Sequence, residues 1–310
     1  MKPKPMPGNS PLRRRVRRAF AGASVAAGLY ALVTVGAAYV FLHPPRTAVA
    51  STPASLNLRF EEVRFPSATD GLQLRGWYLP AQGKPRGVIL FCHGRQGNRA
   101  GVLTHARYLH KAGYALFSFD FRACGDSEGD MSTIGWREVG DAQGAVSYLQ
   151  SRSDTRRVPL GIFGASMGAA VAIQIAAKTP EIQCVVADSA YATLDRAVDQ
   201  RFRGVFPNGS TALSVPIQFV GEQMMGCATA TVSPLAEIPK LASRPVFFIH
   251  GLEDRLIQAE DSRILYAAAT GPKELWLVPG AGHVGAYKAA RDEYQKRVTH
   301  FFNGSFGAAK

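Results

Sequence analysis

The chain has 310 residues, of which 46% are hydrophobic and 19% are charged. A chain of this length and composition can bury roughly three quarters of its unfolded surface, which excludes a largely disordered protein. Its 36 Lys and Arg against 23 acidic residues give a formal charge of +13, which by itself suggests a nucleic-acid partner. Nine of the basic residues lie within residues 1–60, where there is no acidic residue. The remainder of the chain therefore contains 27 basic and 23 acidic residues. That surplus of four is ordinary for a protein surface, and we expect no nucleic-acid partner.

An uncharged run rich in Ala, Val, Leu and Gly covers residues 19–42. As a helix rising about 1.5 Å per residue it would be about 36 Å long, enough to cross a bilayer. Five arginines between residues 13 and 18 precede the run, and Pro44 and Pro45 follow it. The positive-inside rule then predicts a basic cytoplasmic tail over 1–18, a transmembrane signal anchor over 19–42 and an extracytoplasmic catalytic domain.

A cleaved export signal is the alternative interpretation of this N-terminal region. Ala48-Val49-Ala50 has the small-x-small form of a cleavage site, and Arg17-Arg18-Ala19-Phe20 resembles a twin-arginine signal. The apolar run is longer than the usual signal core of about 7 to 15 residues, which favours an uncleaved anchor. Export after cleavage near Ala50 stays open, and both interpretations place the globular part outside the cytoplasm.

A linker over 43–58, containing Pro, Ser and Thr, leads into apolar runs that alternate with helical patterns, as in βαβ proteins. Asp70-Gly71 between two such runs predicts a hairpin, and the near-continuous later runs are typical of parallel strands covered on both faces. We expect an α/β domain over 59–303 with a mostly parallel eight-stranded sheet and helices on both faces, then a tail over 304–310. The predicted strands are 60–65, 72–79, 87–92, 114–120, 159–163, 184–188, 246–250 and 274–278.

Helical patterns fill most of the gaps between these strands, but the gap from 189 to 245 is too long for a plain loop. It predicts a helical cap insertion over the site at about 190–233. The alternative is a peripheral insertion that does not contact the substrate. The other predicted helices are 101–112, 136–151, 167–178, 260–268 and 285–302.

The segment Gly164-Ala165-Ser166-Met167-Gly168 ends a predicted strand and opens a predicted helix. This is the context of a nucleophile elbow, a strained turn that raises a serine hydroxyl to the edge of the sheet. Gly164 and Gly168 fit the turn because neighbouring backbone comes too close for a side chain. Ser166 is therefore the candidate nucleophile.

A serine nucleophile needs an imidazole base, and the base needs a carboxylate that fixes its tautomer. His283 follows the last predicted strand, and Asp254 follows the strand before it, so both lie at the sheet edge of Ser166. Asp188 is the fallback acid. Glu253 and Asp261 are expected to be surface charges, and we expect other histidines such as His93 and His250 to hold loops or lie on helices.

Two backbone N–H groups are needed to stabilise the oxyanion of an acyl-transfer reaction. Met167, after the nucleophile, is predicted to supply the first, and Arg95, in the loop after the third strand, the second. We expect no metal and no cofactor, because the four cysteines lack the close spacing of a zinc site. A Cys184–Cys227 disulfide stays open, against the alternative that Cys92 and Cys184 are small apolar residues in buried strands.

Residues of about 60–303 resemble the α/β-hydrolase superfamily, and are most similar to its membrane-anchored serine hydrolases related to depalmitoylases and lysophospholipases. The resemblance implies Ser166, Asp254 and His283 as the triad, and a structural loop over Asp120 to Ser127. It rests on Thr69-Asp70-Gly71, His93-Gly94, Asp120-Phe121-Arg122-Ala123-Cys124-Gly125-Asp126-Ser127, Gly164-Ala165-Ser166-Met167-Gly168, His250-Gly251 to Asp254, and Gly282-His283.

These residues predict a metal-free serine hydrolase of carboxylester or thioester bonds that works through an acyl-enzyme. A serine peptidase on the same fold is the alternative, and a non-catalytic binding protein a further one. The expected partner is a small-molecule or lipid-type acyl substrate, with the membrane contacted through the N-terminal helix; the oligomeric state stays open. A lipid-type substrate is favoured by the anchor and by apolar cap residues, namely Phe202, Phe206, Phe219, Met224 and Met225.

Overall fold

The computed structural model describes residues 11–205 and 211–307; Lys2, Lys4 and the cap residue Phe206 lie outside these ranges. Its centre is an eight-stranded sheet of strand order β1-β2-β4-β3-β5-β6-β7-β8. The first two strands form an antiparallel hairpin and β2 pairs antiparallel with β4, whereas all later pairs are parallel. The strands are β1 Glu61–Pro66, β2 Gln73–Leu79, β3 Val88–Cys92, β4 Ala115–Phe119, β5 Leu160–Ala165, β6 Ile182–Asp188, β7 Val246–Gly251 and β8 Lys273–Val278.

Helices cover both faces of the sheet. Alternate residues of a strand point to opposite faces, so in β3 Leu90 packs into one apolar cluster and Ile89 into the other. The helices are α1 Pro11–Leu42, α2 Leu103–Lys111, α3 Glu138–Ser151, α4 Met167–Lys178, α5 Leu194–Val205, α6 Thr211–Met225, α7 Pro234–Glu237, α8 Ala259–Ala268, α9 Ala286–Ala289 and α10 Arg291–Gly307. The predicted mostly parallel α/β sheet is confirmed.

The C-terminal end differs from the prediction of one helix over 285–302 and a tail over 304–310. The helical stretch is divided into α9 and α10, and α10 continues through Gly307. The reason is tertiary, because the ring of Phe306 stacks on Phe302 and packs against Tyr114. This apolar contact keeps residues 304–307, the first part of the predicted tail, in the helix.

Helix α1 is longer than the predicted span of 19–42, because the arginines before it are good helix formers and continue the helix back to Pro11. Within the described ranges it is the one helix long and apolar enough to cross a membrane. Its C-terminal half packs on the domain, where Thr34, Ala38 and Leu42 are buried at four-residue spacing. Such spacing places all three on one helix face.

The segment 43–58, predicted as a linker, packs against loops of the domain. The Arg46 guanidinium donates to the carbonyl oxygens of Gly125, Ser127 and Gly129, and Asn98 donates to the carbonyls of Thr47 and Ala48. Pro, Ser and Thr are common in linkers, but their backbone carbonyls are equally good acceptors for a neighbouring surface. The segment after α1 is therefore attached to the loops that follow β3 and β4.

Candidate active site

Ser166 lies between β5 and α4 in a backbone conformation of φ 54° and ψ −121°, which non-glycine residues rarely adopt. Two glycines make the turn feasible. A Cβ at Gly164 would lie 2.2 Å from the carbonyl oxygen of Gly168, and one at Gly168 would lie 2.0 Å from that of Cys92. The predicted elbow is present, and the tightness of the turn excludes side chains at both glycine positions.

Ser166, His283 and Asp254 come together at the carboxyl edge of the sheet. His283 Nε2 lies 2.8 Å from Ser166 Oγ, and His283 Nδ1 lies 2.7 Å from Asp254 Oδ2. An ionised carboxylate only accepts hydrogen bonds, so Nδ1 carries the proton and Nε2 is left as an acceptor for the serine hydroxyl. In this tautomer the imidazole can take a proton from the hydroxyl of Ser166.

Asp254 is held as a carboxylate by its surroundings. Burial by itself would raise its pKa, but hydrogen bonds from His250 and His283 outweigh burial and hold the pKa well below its usual range. The amides of Leu256 and Ile257 also donate to its Oδ1 at 2.9 and 3.0 Å. The carboxylate therefore stays charged at every pH where an imidazole base can act.

Arg95 and Met167, whose backbone amides are the predicted oxyanion donors, line the same pocket as Ser166. Met167 is the first residue of α4, where helix N–H groups have no partner inside the helix. Arg95 belongs to a tight turn closed by a 2.9 Å hydrogen bond from Gly97 N–H to Gly94 O. Within the described part of the chain neither amide donates a hydrogen bond, so both are available to a ligand.

His93 and His250 hold loops, as their positions before glycine predicted. The amide of Phe121 donates to His93 Nε2 at 3.0 Å, so the ring is neutral and its Nδ1 donates to Gly94 O at 2.7 Å. His250 lies 3.2 Å from the Asp254 carboxylate and 2.9 Å from the carbonyl of Ile257. One histidine thus fixes the loop of Arg95, and the other fixes the loop of Asp254.

The other acids that the sequence offered lie elsewhere. Asp188 accepts hydrogen bonds from Tyr294 and Ser189, and burial raises its pKa. Glu253 is exposed as expected. Asp261 is not the predicted surface charge: it is buried and accepts hydrogen bonds from the amide of Ala192 and from Gln200. Sequence reasoning missed this role because the partners belong to the cap, which is distant along the chain.

A pocket of about 390 Å³ opens above Ser166. Its walls include Leu194 and Val198 of α5, so the cap contributes directly to the site rather than lying at the periphery. Phe41 of α1 is also in the wall, and the Arg95 guanidinium lies 4.4 Å above its ring and donates to its carbonyl oxygen. Sequence reasoning assigned Phe41 only to the anchor, and no local signal marks it as a pocket residue.

The four cysteines are all free thiols, so the Cys184–Cys227 disulfide left open by the sequence does not form. Cys184 is buried in β6, whereas Cys227 follows the cap helix α6. Cys92 and Cys184 are the small buried apolar residues of the alternative interpretation. Among residues 11–205 and 211–307, no group of three His, Cys, Asp or Glu side chains is arranged to hold a metal ion.

The strained elbow and the Ser–His–Asp contacts at the edge of this sheet are typical of serine hydrolases. Comparisons with known proteins indicate the same class. The family model described as serine aminopeptidase, S33, matches residues 83–220. The α/β hydrolase domain-containing protein WAV2 of Arabidopsis thaliana is 30% identical over 259 residues, 81% of this chain and 80% of that protein. The chain belongs to the α/β-hydrolase superfamily.

Individual relatives extend this likeness to bacteria and to a solved structure. The uncharacterized protein YqkD of Bacillus subtilis is 30% identical over 252 residues, 79% of this chain and 80% of that protein. The solved structure of the Pyrococcus furiosus esterase Pf2001 is 27% identical, with a TM-score of 0.72 over 86% of this chain and 98% of that one. The chain is therefore a hydrolase by family and resembles an esterase in structure.

Proposed function

We propose that this chain is a serine hydrolase of carboxylester or thioester bonds. The observation that carries the proposal is the hydrogen-bonded path from Asp254 through His283 to Ser166, at 2.7 and 2.8 Å. Ser166 lies on the strained turn typical of superfamily nucleophiles, at the base of a pocket whose wall includes cap residues. The structural likeness to an esterase supports ester bonds as the target.

The first half of the reaction forms an acyl-enzyme. His283 Nε2 removes the hydroxyl proton of Ser166 as Oγ attacks the acyl carbonyl carbon, and the carbonyl oxygen becomes an oxyanion. The N–H groups of Arg95 and Met167 donate to this oxyanion, an interaction worth about 10²- to 10³-fold in rate for each donor. The carbon–oxygen or carbon–sulfur bond then breaks, and His283 returns the proton to the leaving alcohol or thiol.

The second half releases the acid. His283 removes a proton from water, the hydroxide oxygen attacks the acyl-enzyme carbonyl, and the same two amides hold the second oxyanion. Collapse breaks the bond to Ser166 Oγ, which regains its proton from His283. In both halves the Asp254 carboxylate stabilises the imidazolium of His283. Because its pKa is low, Asp254 is ionised at neutral pH and can do so.

A serine peptidase is the second candidate, because the matching family model carries the name of an aminopeptidase. An aminopeptidase has to bind a substrate ammonium group, for which a carboxylate in the pocket is the usual partner. None of the described residues that line the pocket is acidic, whereas Arg95 and Arg201 are basic. The charge of the pocket wall therefore favours a neutral ester over an aminoacyl substrate.

We further propose that α1 anchors the enzyme with its N-terminus in the cytoplasm and the catalytic domain outside. The arginines before the apolar run support this orientation. Cleavage near Ala50 is disfavoured because it would remove Leu42, whose side chain is buried, and Arg46, which binds the loop after β4.

Ser166→Ala is the direct test of the reaction. We expect it to abolish covalent labelling by a fluorophosphonate probe and to lower kcat/KM for nitrophenyl butyrate by at least about 10³-fold. Ser151→Ala, at the exposed end of α3, is the matched control and should label like the wild type. Labelling of Ser166→Ala at the wild-type rate, or faster cleavage of aminoacyl amides than of esters by the wild type, would contradict the proposal.

A further inference from the structure

A second cavity, of about 300 Å³, lies between the C-terminal half of α1 and the cap helices α5 and α6. Helix α1 contributes Val33, Ala37 and Phe41 to its wall. Apart from Arg201, Gln218 and Thr229, every described residue of the lining is apolar or glycine. A cavity of this composition offers almost no hydrogen-bonding partners to a polar ligand, and it suits a hydrocarbon chain. From the cap, the wall includes Val198, Phe202 and Ile217.

This cavity adjoins the catalytic pocket. The two spaces share a wall, since five residues line both of them: Phe41, Ile134, Leu194, Val198 and Arg201. A chain that occupies the cavity therefore has its nearer end beside the pocket of Ser166. This arrangement suits an acyl chain whose carbonyl carbon lies at Ser166 Oγ.

In the membrane orientation proposed above, the cavity lies at the depth of the bilayer. Hydrocarbon about 30 Å thick takes up about 20 helical residues, so a span that begins after Arg18 ends near Ala38. Val33 and Ala37 then lie within the hydrocarbon, and Phe41 lies at its boundary. Helix α6 follows α1 into this region, since the hydroxyl of Tyr30 donates to the carbonyl oxygen of Ala212.

The outer surface of the cap agrees with such a position. Helix α6 has no charged residue from Thr211 to Gly221, and the side chains of Val215 and Phe219 are each 61% exposed. Val205 at the end of α5 is exposed as well. Large apolar side chains are rarely grouped in contact with water, and here they continue the apolar surface of the membrane helix. In the proposed orientation, membrane lipid covers both the cap surface and α1.

We propose that the cavity between α1, α5 and α6 binds the acyl chain of a bilayer-resident lipid ester, which enters sideways from the membrane. The proposal rests on the ester hydrolysis proposed above and adds the substrate class. Methylene groups drawn from a bilayer into water lose their apolar surroundings, whereas methylene groups that pass into this cavity keep them. The membrane helix is then a wall of the substrate site in addition to an anchor.

The test uses the full-length protein in lipid nanodiscs and nitrophenyl esters from butyrate to palmitate. We expect the wild-type kcat/KM to rise with chain length, by up to about fourfold for each methylene that the cavity shelters from water. Ala37→Trp fills the cavity and should lower the palmitate-to-butyrate ratio of kcat/KM by at least tenfold. Ala31→Trp places the same ring on an exposed face of α1 and should leave that ratio unchanged.

The possible outcomes distinguish failure of the acyl-cavity inference from failure of the catalytic proposal. A flat wild-type chain-length profile, or an unchanged ratio in Ala37→Trp, overturns the acyl cavity while Ser166-dependent labelling leaves ester hydrolysis standing. Activity that survives Ser166→Ala overturns both. Fluorophosphonate labelling shows whether Ala37→Trp is folded; if it is not, Ile217→Trp fills the same space from α6, and the ratio is measured there.

Discussion

At the scale of single residues, the site depends on places where a side chain cannot be tolerated. Gly168 faces the backbone of the strand next to the elbow, with the carbonyl oxygen of Cys92 2.0 Å from where a Cβ would be. The atoms that a Cβ at Gly168 would meet belong to the backbone of Cys92 and His93. They cannot move aside without disturbing the end of β3, and Gly168 cannot move without disturbing α4. Because the first turn of α4 also carries the Met167 amide, a shift there would displace a group proposed to bind the oxyanion.

Gly168→Ala should therefore damage stability and activity together. We expect the free energy of unfolding to fall by about 3 kcal/mol and kcat to fall by about 10²-fold, measured by urea unfolding and ester hydrolysis. Gly304→Ala in α10 is the matched control, because nothing lies within 4 Å of its Cβ position. In a helix interior this change should stabilise the protein by about 0.5 to 1 kcal/mol. Equal stability of the two variants would contradict the argument.

At the scale of elements, α1 packs on the domain in addition to forming the proposed membrane anchor. The amide of Ser132 donates to Leu42 O at 2.8 Å, and the guanidinium of Arg95 contacts both the ring and the carbonyl of Phe41. The last turns of the helix are therefore joined to the loop that carries one proposed oxyanion donor. Removing the helix would leave apolar side chains of the cap without a cover.

Truncation separates this packing role from membrane attachment. A chain that starts at residue 51 loses the buried side chains of Thr34, Ala38 and Leu42, and we expect it to be less stable by about 3 kcal/mol. Thermal unfolding in detergent should show a Tm lower by about 6 to 12 °C. A chain that starts at residue 28 lacks a full span but keeps those contacts, so its Tm should stay close to that of the full chain. Equal Tm values for both truncations would show that α1 does not support the domain.

At the scale of the whole molecule, the position of the basic residues along the chain supports the proposed orientation. The basic excess lies before and beside one apolar helix, while the catalytic domain is nearly balanced. The apolar cap surface and the apolar helix lie on the same side of the catalytic domain, since α6 packs along α1. The molecule is thereby arranged with its substrate pocket next to the membrane surface, in the orientation that we propose.

This orientation predicts the outcome of fusion experiments in a bacterial host. Alkaline phosphatase, active only outside the cytoplasm, should be active when joined to the C-terminus and inactive when joined to the N-terminus. Intact mass measurement of the membrane fraction should find the residues before Ala50 still attached. An active N-terminal fusion would overturn the orientation, and a mature chain that begins near residue 51 would establish the cleaved signal instead.

The fold and the residues of the candidate site could be predicted in large part from the sequence, because their signals are local. The apolar runs, the glycines around Ser166 and the positions of Asp254 and His283 after strands each depend on a few neighbouring residues. Parallel strands end at a common edge, so these local signals also implied that the three side chains would lie together. The structure places them within hydrogen-bond distance of one another.

What only the tertiary structure decided concerns segments that are distant along the chain. Arg95 and Phe41 are 54 residues apart, and no local pattern predicts that α1 contributes a side chain to the wall of the pocket beside Ser166. Burial of Asp261 and attachment of the segment 43–58 likewise depend on partners elsewhere. By itself the sequence determined the sheet, the elbow and the charge of the N-terminus. The cavity between α1 and the cap follows from the packing of these two parts, because its wall exists only once both are in place.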